Sequence, residues 1–93
     1  MMVTVIMPEG AISTTVLPVD VDERLTCLQD IVGGPIEGIP LPDGRYLFLN
    51  ENGKDGPHLV NTMATAIAHE AESIQKSDYI AGVAVVLPRE ALE

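Results

Sequence analysis

The sequence predicts a small α+β domain with the element order ββαββαβ, in which two helices pack on a mostly antiparallel sheet. Three observations support this class. The chain has 93 residues, of which 46% are hydrophobic, and this suffices for a single modest core. Short β-branched runs are separated by turn residues, and two longer stretches repeat their apolar residues at the helical period. We therefore expect one domain over residues 1–93, with its core at about 2–88.

The first two strands are predicted at the start of the chain. Residues 3–7 (VTVIM) and 12–17 (ISTTVL) are rich in β-branched side chains, which favour extended backbone. Pro8, Glu9 and Gly10 between them are typical of a turn. Two such runs separated by one turn favour a β-hairpin.

A first helix is predicted over residues 21–32, where the apolar period changes from two to between three and four. Either Asp20 or Asp22 is expected to cap it, because a carboxylate there accepts hydrogen bonds from unpaired backbone N–H groups. The glycine pair at 33–34 can adopt the left-handed backbone that ends a helix. The apolar stripe consists of Val21, Leu25, Leu28, Ile31 and Val32.

A second hairpin is predicted between Ile36 and Asn50. The strand over residues 36–39 runs into Pro40, and proline lacks the N–H that a central strand donates, so we expect an edge or bulged strand. Residues 41–44 (LPDG) place proline and glycine where a tight turn favours them. Residues 45–50 then form the returning strand.

The last two elements are a helix and a strand. A second helix is predicted over about residues 62–75, with Asn61 or Thr62 as its cap. Its stripe consists of Met63, Ile67, Ala71 and Ile74. Residues 79–87 are apolar at nearly every position, which is typical of a central strand covered on both faces. We expect residues 89–93 to be a frayed tail.

Charge and composition exclude several functions. Fourteen acidic residues face five basic ones, and the formal net charge is −9. A protein that binds nucleic acid directly places Lys and Arg over phosphates, so this charge argues against such a partner. The same charge argues against an anionic membrane surface. Aromatic residues make up 3% of the chain, too few for a surface that stacks bases.

The compartment is expected to be reducing. Cys27 is the one cysteine, so the chain cannot form an internal disulfide. The first residues, MMVTVIMPEG, have no Lys or Arg before the apolar stretch, unlike a secretory signal. The apolar runs are shorter than a membrane span requires. We expect a soluble protein without a membrane partner.

One set of residues has an order and spacing, over about residues 20–87, that occur together in a known family. The set is Leu28, Ile31, Val32, Gly33, Gly34, Ile36, Glu37, the turn over 40–44, Asn50, Glu51, Gly53, Lys54, Asn61, Ala64, Asp78, Ile80, Gly82, Val85 and Val86. In these residues the chain resembles a family of small acidic proteins of unknown function that are carried by bacteriophages, plasmids and their bacterial, often actinobacterial, hosts. The Ala-rich stretch over residues 64–75 differs from the shorter one typical of the family. The resemblance implies a phage or mobile-element origin, a host cytoplasm and no established enzymatic activity.

Catalytic and metal chemistry find little support in the sequence. A nucleophile needs a base and a group that orients the base, and no motif supplies this set. His69 and Glu72 are three residues apart, but zinc requires three or four ligands. Residues 50–56 lack the closing acid of a calcium loop. We predict no catalytic residues, no metal and no cofactor.

Two binding sites are predicted, of which the first is acidic. Asp22, Glu23 and Asp30 share the outer face of the first helix if the periodicity is right, and Glu37 and Asp43 follow nearby in the sequence. Such a surface can dock onto a basic groove of a host or phage protein that normally holds nucleic acid. This is the leading hypothesis for the function, either as an inhibitor or as a mimic of a nucleic-acid surface.

The second hypothesis is a small-ligand site for phosphate or a nucleotide. Asn50, Asn52 and Lys54 belong to a Gly-rich loop whose backbone N–H groups can surround an anion. Asn61 adds the start of the second helix, and Arg45 adds a second cation. A third hypothesis is a structural homo-oligomer, joined through an edge strand at residues 36–41.

Overall fold

A computed structural model of the protein describes residues 1–88 and shows a five-stranded antiparallel sheet with one helix on each face. The strand order across the sheet is β2-β1-β5-β4-β3. The elements are β1 (Met2–Ile6), β2 (Ile12–Val16), α1 (Val21–Val32), β3 (Ile36–Pro40), β4 (Tyr46–Asn50), a 3-10 turn (Gly53–Asp55), α2 (Thr62–Glu70) and β5 (Ala84–Leu87). The predicted α+β class and the order ββαββαβ are therefore confirmed. The tail predicted to be frayed lies outside the described residues.

The hairpins and the placement of the strands agree with the sequence. β1 pairs with β2, and β3 pairs with β4, each in antiparallel register. β3 lies at one edge of the sheet, as Pro40 indicates, and β2 lies at the other. β5 is central and pairs with both β1 and β4.

Helix α1 begins and ends where the sequence predicts. The Asp20 carboxylate accepts a hydrogen bond from the Glu23 N–H at 3.0 Å, so Asp20 is the cap. Gly33 ends the helix with a φ of 85°, which glycine adopts without steric cost, and its N–H donates to the Gln29 carbonyl oxygen. The buried residues of the helix are Leu28 and Val32.

Helix α2 is shorter than predicted, because it ends at Glu70 and not at residue 75. After the helix, Glu72 has a φ of 56°, in the left-handed region. The Ser73 N–H donates back to the Ala68 carbonyl oxygen, and the Ser73 hydroxyl donates to the Pro40 carbonyl oxygen at 2.7 Å. Ile74, which fits the helical period in the sequence, packs against the hydrophobic residues under α2 from the segment after the turn.

The left-handed residue Glu72 offers a test of this turn. We expect Glu72→Gly to raise the free energy of unfolding by about 0.5–1 kcal/mol, since glycine removes the Cβ strain at positive φ and loses part of the gain to chain entropy. Urea denaturation measures the change. Glu70→Gly is the matched control and should destabilise by a similar amount, because glycine is unfavourable within a helix. Destabilisation by both variants would contradict this account of the turn.

The last predicted strand is also shorter than expected, because the ladder covers Ala84–Leu87 and not residues 79–87. Gly82 has a φ of 87°, which breaks the extended backbone. Ala81 forms an isolated bridge with Val60, and Ile80 is held by hydrogen bonds to α2 and its cap. Ile80 and Ala81 are buried outside the sheet ladder, so the apolar run in the sequence reflects burial at these two positions and not strand pairing.

The sheet separates two hydrophobic cores. The core under α1 consists of Val3, Val5, Leu17, Leu28, Val32, Val85 and Leu87. The core under α2 consists of Ile39, Leu47, Leu49, Ala64, Ala68, Ile80 and Ala84. Successive residues of β4 and β5 point to opposite faces and so contribute to both cores. The predicted covering of β5 on both faces is confirmed.

Candidate functional site

The outer face of α1 brings together three of the predicted acidic residues. Asp22, Glu23 and Asp30 line one shallow groove, together with Thr26 and Cys27. All three carboxylates belong to exposed residues. The other lining residues follow Asp22 by one, four, five and eight positions, and residues at this spacing lie on one side of a helix. We refer to Asp22, Glu23 and Asp30 as the α1 acidic face.

The surroundings of the α1 acidic face combine exposed apolar side chains with the carboxylates. The last turn of the helix carries no basic residue. Arg24 is directed to the chain before the helix, where its guanidinium donates to the carbonyl oxygens of Pro18 and Val19. Val21 and Leu25, which are 73% and 43% exposed, lie beside the acidic residues on the helix. A protein partner can contact these apolar side chains while the carboxylates lie at the polar rim of the contact.

The other two predicted acidic residues lie elsewhere. Glu37 is opposite Leu49 in the β3–β4 ladder, and therefore on the sheet face that α2 covers, away from α1. Asp43 lies in the β3–β4 turn and is paired with Arg45 at 2.6 Å. The Arg45 backbone N–H and guanidinium both donate to Asp43, and these bonds lower the pKa of its carboxyl. The structure therefore does not join Glu37 and Asp43 to the α1 acidic face.

A second concave region lies beside β3 on the face of α2. This cleft has a volume of about 290 Å³ and is bordered by β3, the 3-10 turn and the segment after α2. Three carboxylates (Glu37, Glu51 and Asp78) and one ammonium (Lys54) line it, so it is net negative. Ile39, Leu49, Ile74 and Ile80 contribute its apolar lining.

Lys54 is already engaged within the cleft. Its ammonium donates to the Asp78 carboxylate and lies 4.8 Å from the centre of the Tyr79 ring. The hydrogen bond with Asp78 raises the pKa of Lys54, and the same bond lowers the pKa of Asp78. An anion would have to displace the Asp78 carboxylate to reach this ammonium.

The five residues predicted for a small ligand are not brought together. The Asn50 amide donates to the Val32 carbonyl oxygen and accepts from the Asn52 N–H, so Asn50 fixes the loop. The Asn61 side chain is fully buried and bonded to backbone groups. Arg45 borders a different depression, between the β3–β4 turn and the end of α2. Of this set, Asn50 and Lys54 line the cleft, while Asn52 is exposed outside it.

Sequence reasoning missed Asp78, Tyr79 and Ser73 as lining residues of the cleft. Lys54 and Asp78 are separated by 24 positions, and only the tertiary fold brings them together. Asp78 is among the residues that carry the family resemblance, but the segment before β5 has no chemical motif and nothing in the sequence joins Asp78 to Lys54. Ser73 lies in the predicted second helix, Asp78 lies between that helix and the last predicted strand, and Tyr79 is the first residue of that strand.

Histidine and cysteine are not arranged as a reactive cluster in the part of the chain that the structure describes. His69 Nε2 lies 2.8 Å from the Asp78 carbonyl oxygen and must carry the proton there, because a carbonyl oxygen only accepts. Within residues 1–88, no three His, Cys, Asp or Glu side chains are placed to hold a metal ion. Across the same residues, no helix is long and apolar enough to cross a membrane.

Comparison with known proteins identifies a family. The model of a domain of unknown function, DUF3846, matches residues 1–91, which is almost the whole chain. No curated protein and no solved structure matches the chain. The protein therefore belongs to the family of the domain of unknown function DUF3846.

Proposed function

We propose that this protein is a non-catalytic accessory protein of a phage or other mobile element, which binds a basic surface of a host or phage protein in the host cytoplasm. The observation that carries the proposal is the α1 acidic face, where three exposed carboxylates line one groove on a single rigid helix. The net charge of −9 supports it, because a field of one sign accelerates association with a partner of the opposite sign.

The partner is expected to carry Lys or Arg in a groove that normally holds nucleic acid. The α1 acidic face offers fixed negative charges along a helix, as a nucleic-acid backbone offers phosphates along its axis. Val21 and Leu25 beside it add apolar contact that phosphates do not provide. Binding there would cover the basic groove and inhibit its use, so the protein acts as an inhibitor or as a mimic of a nucleic-acid surface.

The test removes the charge of the α1 acidic face and keeps its shape. We expect a variant with Asp22→Asn, Glu23→Gln and Asp30→Asn to bind the partner roughly tenfold or more weakly, since each change removes a favourable charge pair. The protein is immobilised, host cytosol is passed over it at low salt, and retained proteins are identified by mass spectrometry. Binding of the identified partner to both forms is then measured by titration calorimetry.

The matched control neutralises three exposed acidic residues elsewhere, with Glu9→Gln, Glu37→Gln and Glu70→Gln. This control has the same net charge as the test variant and should bind like the unaltered protein. Salt should weaken the interaction, because exposed charges are screened. Capture that is indifferent to salt, or equal loss of binding in both variants, would count against the proposal. Circular dichroism checks that α1 stays folded.

A further inference from the structure

Strand β2 is an open edge of the sheet. The Leu17 N–H donates to the Met1 carbonyl oxygen at 2.7 Å, which fixes the bonded pairs at one end of the β1–β2 ladder. Bonded pairs alternate along an antiparallel ladder. The register therefore directs the backbone N–H and C=O groups of Ile12, Thr14 and Val16 away from β1, toward the outside of the sheet. These three residues are exposed.

The two edges of the sheet differ in how they are protected. β3 carries a charge at Glu37 and a proline at Pro40, and the Ser73 hydroxyl already occupies the Pro40 carbonyl oxygen. Charge and proline are the features by which natural edge strands avoid pairing with another chain. Residues 10–17, which contain β2, have no charged residue and no proline. The edge predicted for a homo-oligomer is thus the protected one, and β2 is not protected.

Strand β2 also carries uncovered apolar side chains. Ile12 and Val16 are 55% and 64% exposed, and Met2, opposite Val16 in the ladder, is 62% exposed. Met2 and Ile6 alternate along β1 with Val3 and Val5, which belong to the core under α1, so Met2 and Ile6 point to the other face of the sheet. Val16 lies opposite Met2 and Ile12 lies opposite Ile6, so these side chains also lie on the face away from α1. On that face the core of α2 is formed with β3, β4 and β5. The apolar side chains beside the β2 edge are therefore available to a neighbouring strand.

We propose that a second copy of this chain pairs antiparallel with β2, in the register that places Thr14 opposite Thr14 of the partner subunit. In this register Ile12 lies opposite the partner's Val16, and Val16 lies opposite the partner's Ile12. The outward N–H and C=O groups then bond in reciprocal pairs, and the two five-stranded sheets become one continuous sheet.

The sequence of β2 favours a second copy over an unrelated strand. Read from either end, ISTTV is apolar, hydroxyl, hydroxyl, hydroxyl, apolar, so the strand is complementary to itself about Thr14. Apolar residues pair with apolar ones across the two-fold axis, and Ser13 pairs with the partner's Thr15. A strand without charge is also the part of this acidic chain at which two copies repel each other least.

Sedimentation velocity tests the pairing over protein concentrations from about 10 μM to about 1 mM, at low and at high NaCl. We expect the dimer fraction to rise with concentration. It should also rise with salt, because salt screens the repulsion between two chains of net charge −9. Binding of a basic partner at the α1 acidic face has the opposite salt dependence, so the two proposals fail independently. A monomer at every concentration and salt would overturn the pairing.

Thr14→Lys tests the position of the contact. It places two like charges opposite each other on the two-fold axis, and we expect the dimer Kd to rise by at least about tenfold. Gln29→Lys adds the same charge at an exposed position of α1 and should leave the Kd within about twofold. Urea denaturation of both variants confirms that the monomer fold is intact. An unchanged dimer in Thr14→Lys, or a dimer lost in a variant of the β3 edge such as Glu37→Lys, would show that β2 is not the interface.

Discussion

Asn61→Ala is expected to lower the free energy of unfolding by about 3–7 kcal/mol. The Asn61 side chain is fully buried and makes three hydrogen bonds. Its oxygen accepts from the Ala64 N–H and caps α2, which is worth about 1 kcal/mol. Its amide donates to the carbonyl oxygens of Ile6 and Gly82, and each would be left buried without this donor at a cost of about 1–3 kcal/mol.

Urea denaturation of Asn61→Ala measures this loss, and Asn61→Asp separates the two roles of the side chain. The carboxylate of Asn61→Asp keeps the acceptor for the helix cap but faces two carbonyl oxygens without a proton to donate, so we expect it to be at least as destabilising near neutral pH. Asn52→Ala, at an exposed position whose side chain caps nothing, should change the free energy by less than about 0.5 kcal/mol. A loss below about 1.5 kcal/mol in Asn61→Ala would mean that the two carbonyl contacts contribute little.

Gly53→Ala is expected to lower the free energy of unfolding by about 2–3 kcal/mol. Gly53 is buried, and a Cβ built there would lie 2.6 Å from the Ala81 carbonyl oxygen. That oxygen belongs to backbone held by the Val60 bridge, so it cannot move as a flexible side chain would. The substitution therefore separates the 3-10 turn from the segment before β5 and opens the wall of the cleft that holds Lys54.

Hydrogen exchange and urea denaturation together test the Gly53→Ala prediction. We expect faster exchange of the amides around residues 53–55 and 80–82, in addition to the loss in global stability. Gly56→Ala is the comparison, because Gly56 ends the same 3-10 turn with a φ of −117° and a Cβ there meets only the exposed His58 side chain, at 3.0 Å. If Gly56→Ala is as destabilising as Gly53→Ala, close packing at the Ala81 carbonyl oxygen is not the cause.

Local signals predicted α1 well and α2 poorly, for physical reasons. Asp20 and Gly33 act on backbone groups within a few residues, so the sequence contains all that determines the ends of α1. Helix α2 ends in a left-handed turn at Glu72, where the sequence has no glycine or asparagine to mark it, and the Ser73 hydroxyl joins that turn to the Pro40 carbonyl oxygen, 33 positions away. Apolar periodicity does not report such a turn or contact, and Ile74 fits the helical period, so the predicted helix extends to residue 75.

The same distinction applies to the candidate site. Asp22, Glu23 and Asp30 could be grouped from the sequence because one helix carries them. Glu37 was grouped with them because it is near in sequence, but strand alternation directs it to the opposite face. Asn61 was correctly proposed as a cap, whereas its burial, which excludes it from a surface site, depends on the meeting of β1 with the segment before β5.

The central position of β5 has a consequence for the synthesis of the protein. Val86 pairs with Thr4 on one side and with Leu47 on the other, so the last strand in chain order joins the first hairpin to the second. A nascent chain on the ribosome can form the β1–β2 and β3–β4 hairpins early, but it cannot join them until residues 84–87 have emerged. Chains in which residues 84–87 have not emerged therefore expose both apolar faces, and we expect chaperones and proteases to recognise them until β5 is free to pair.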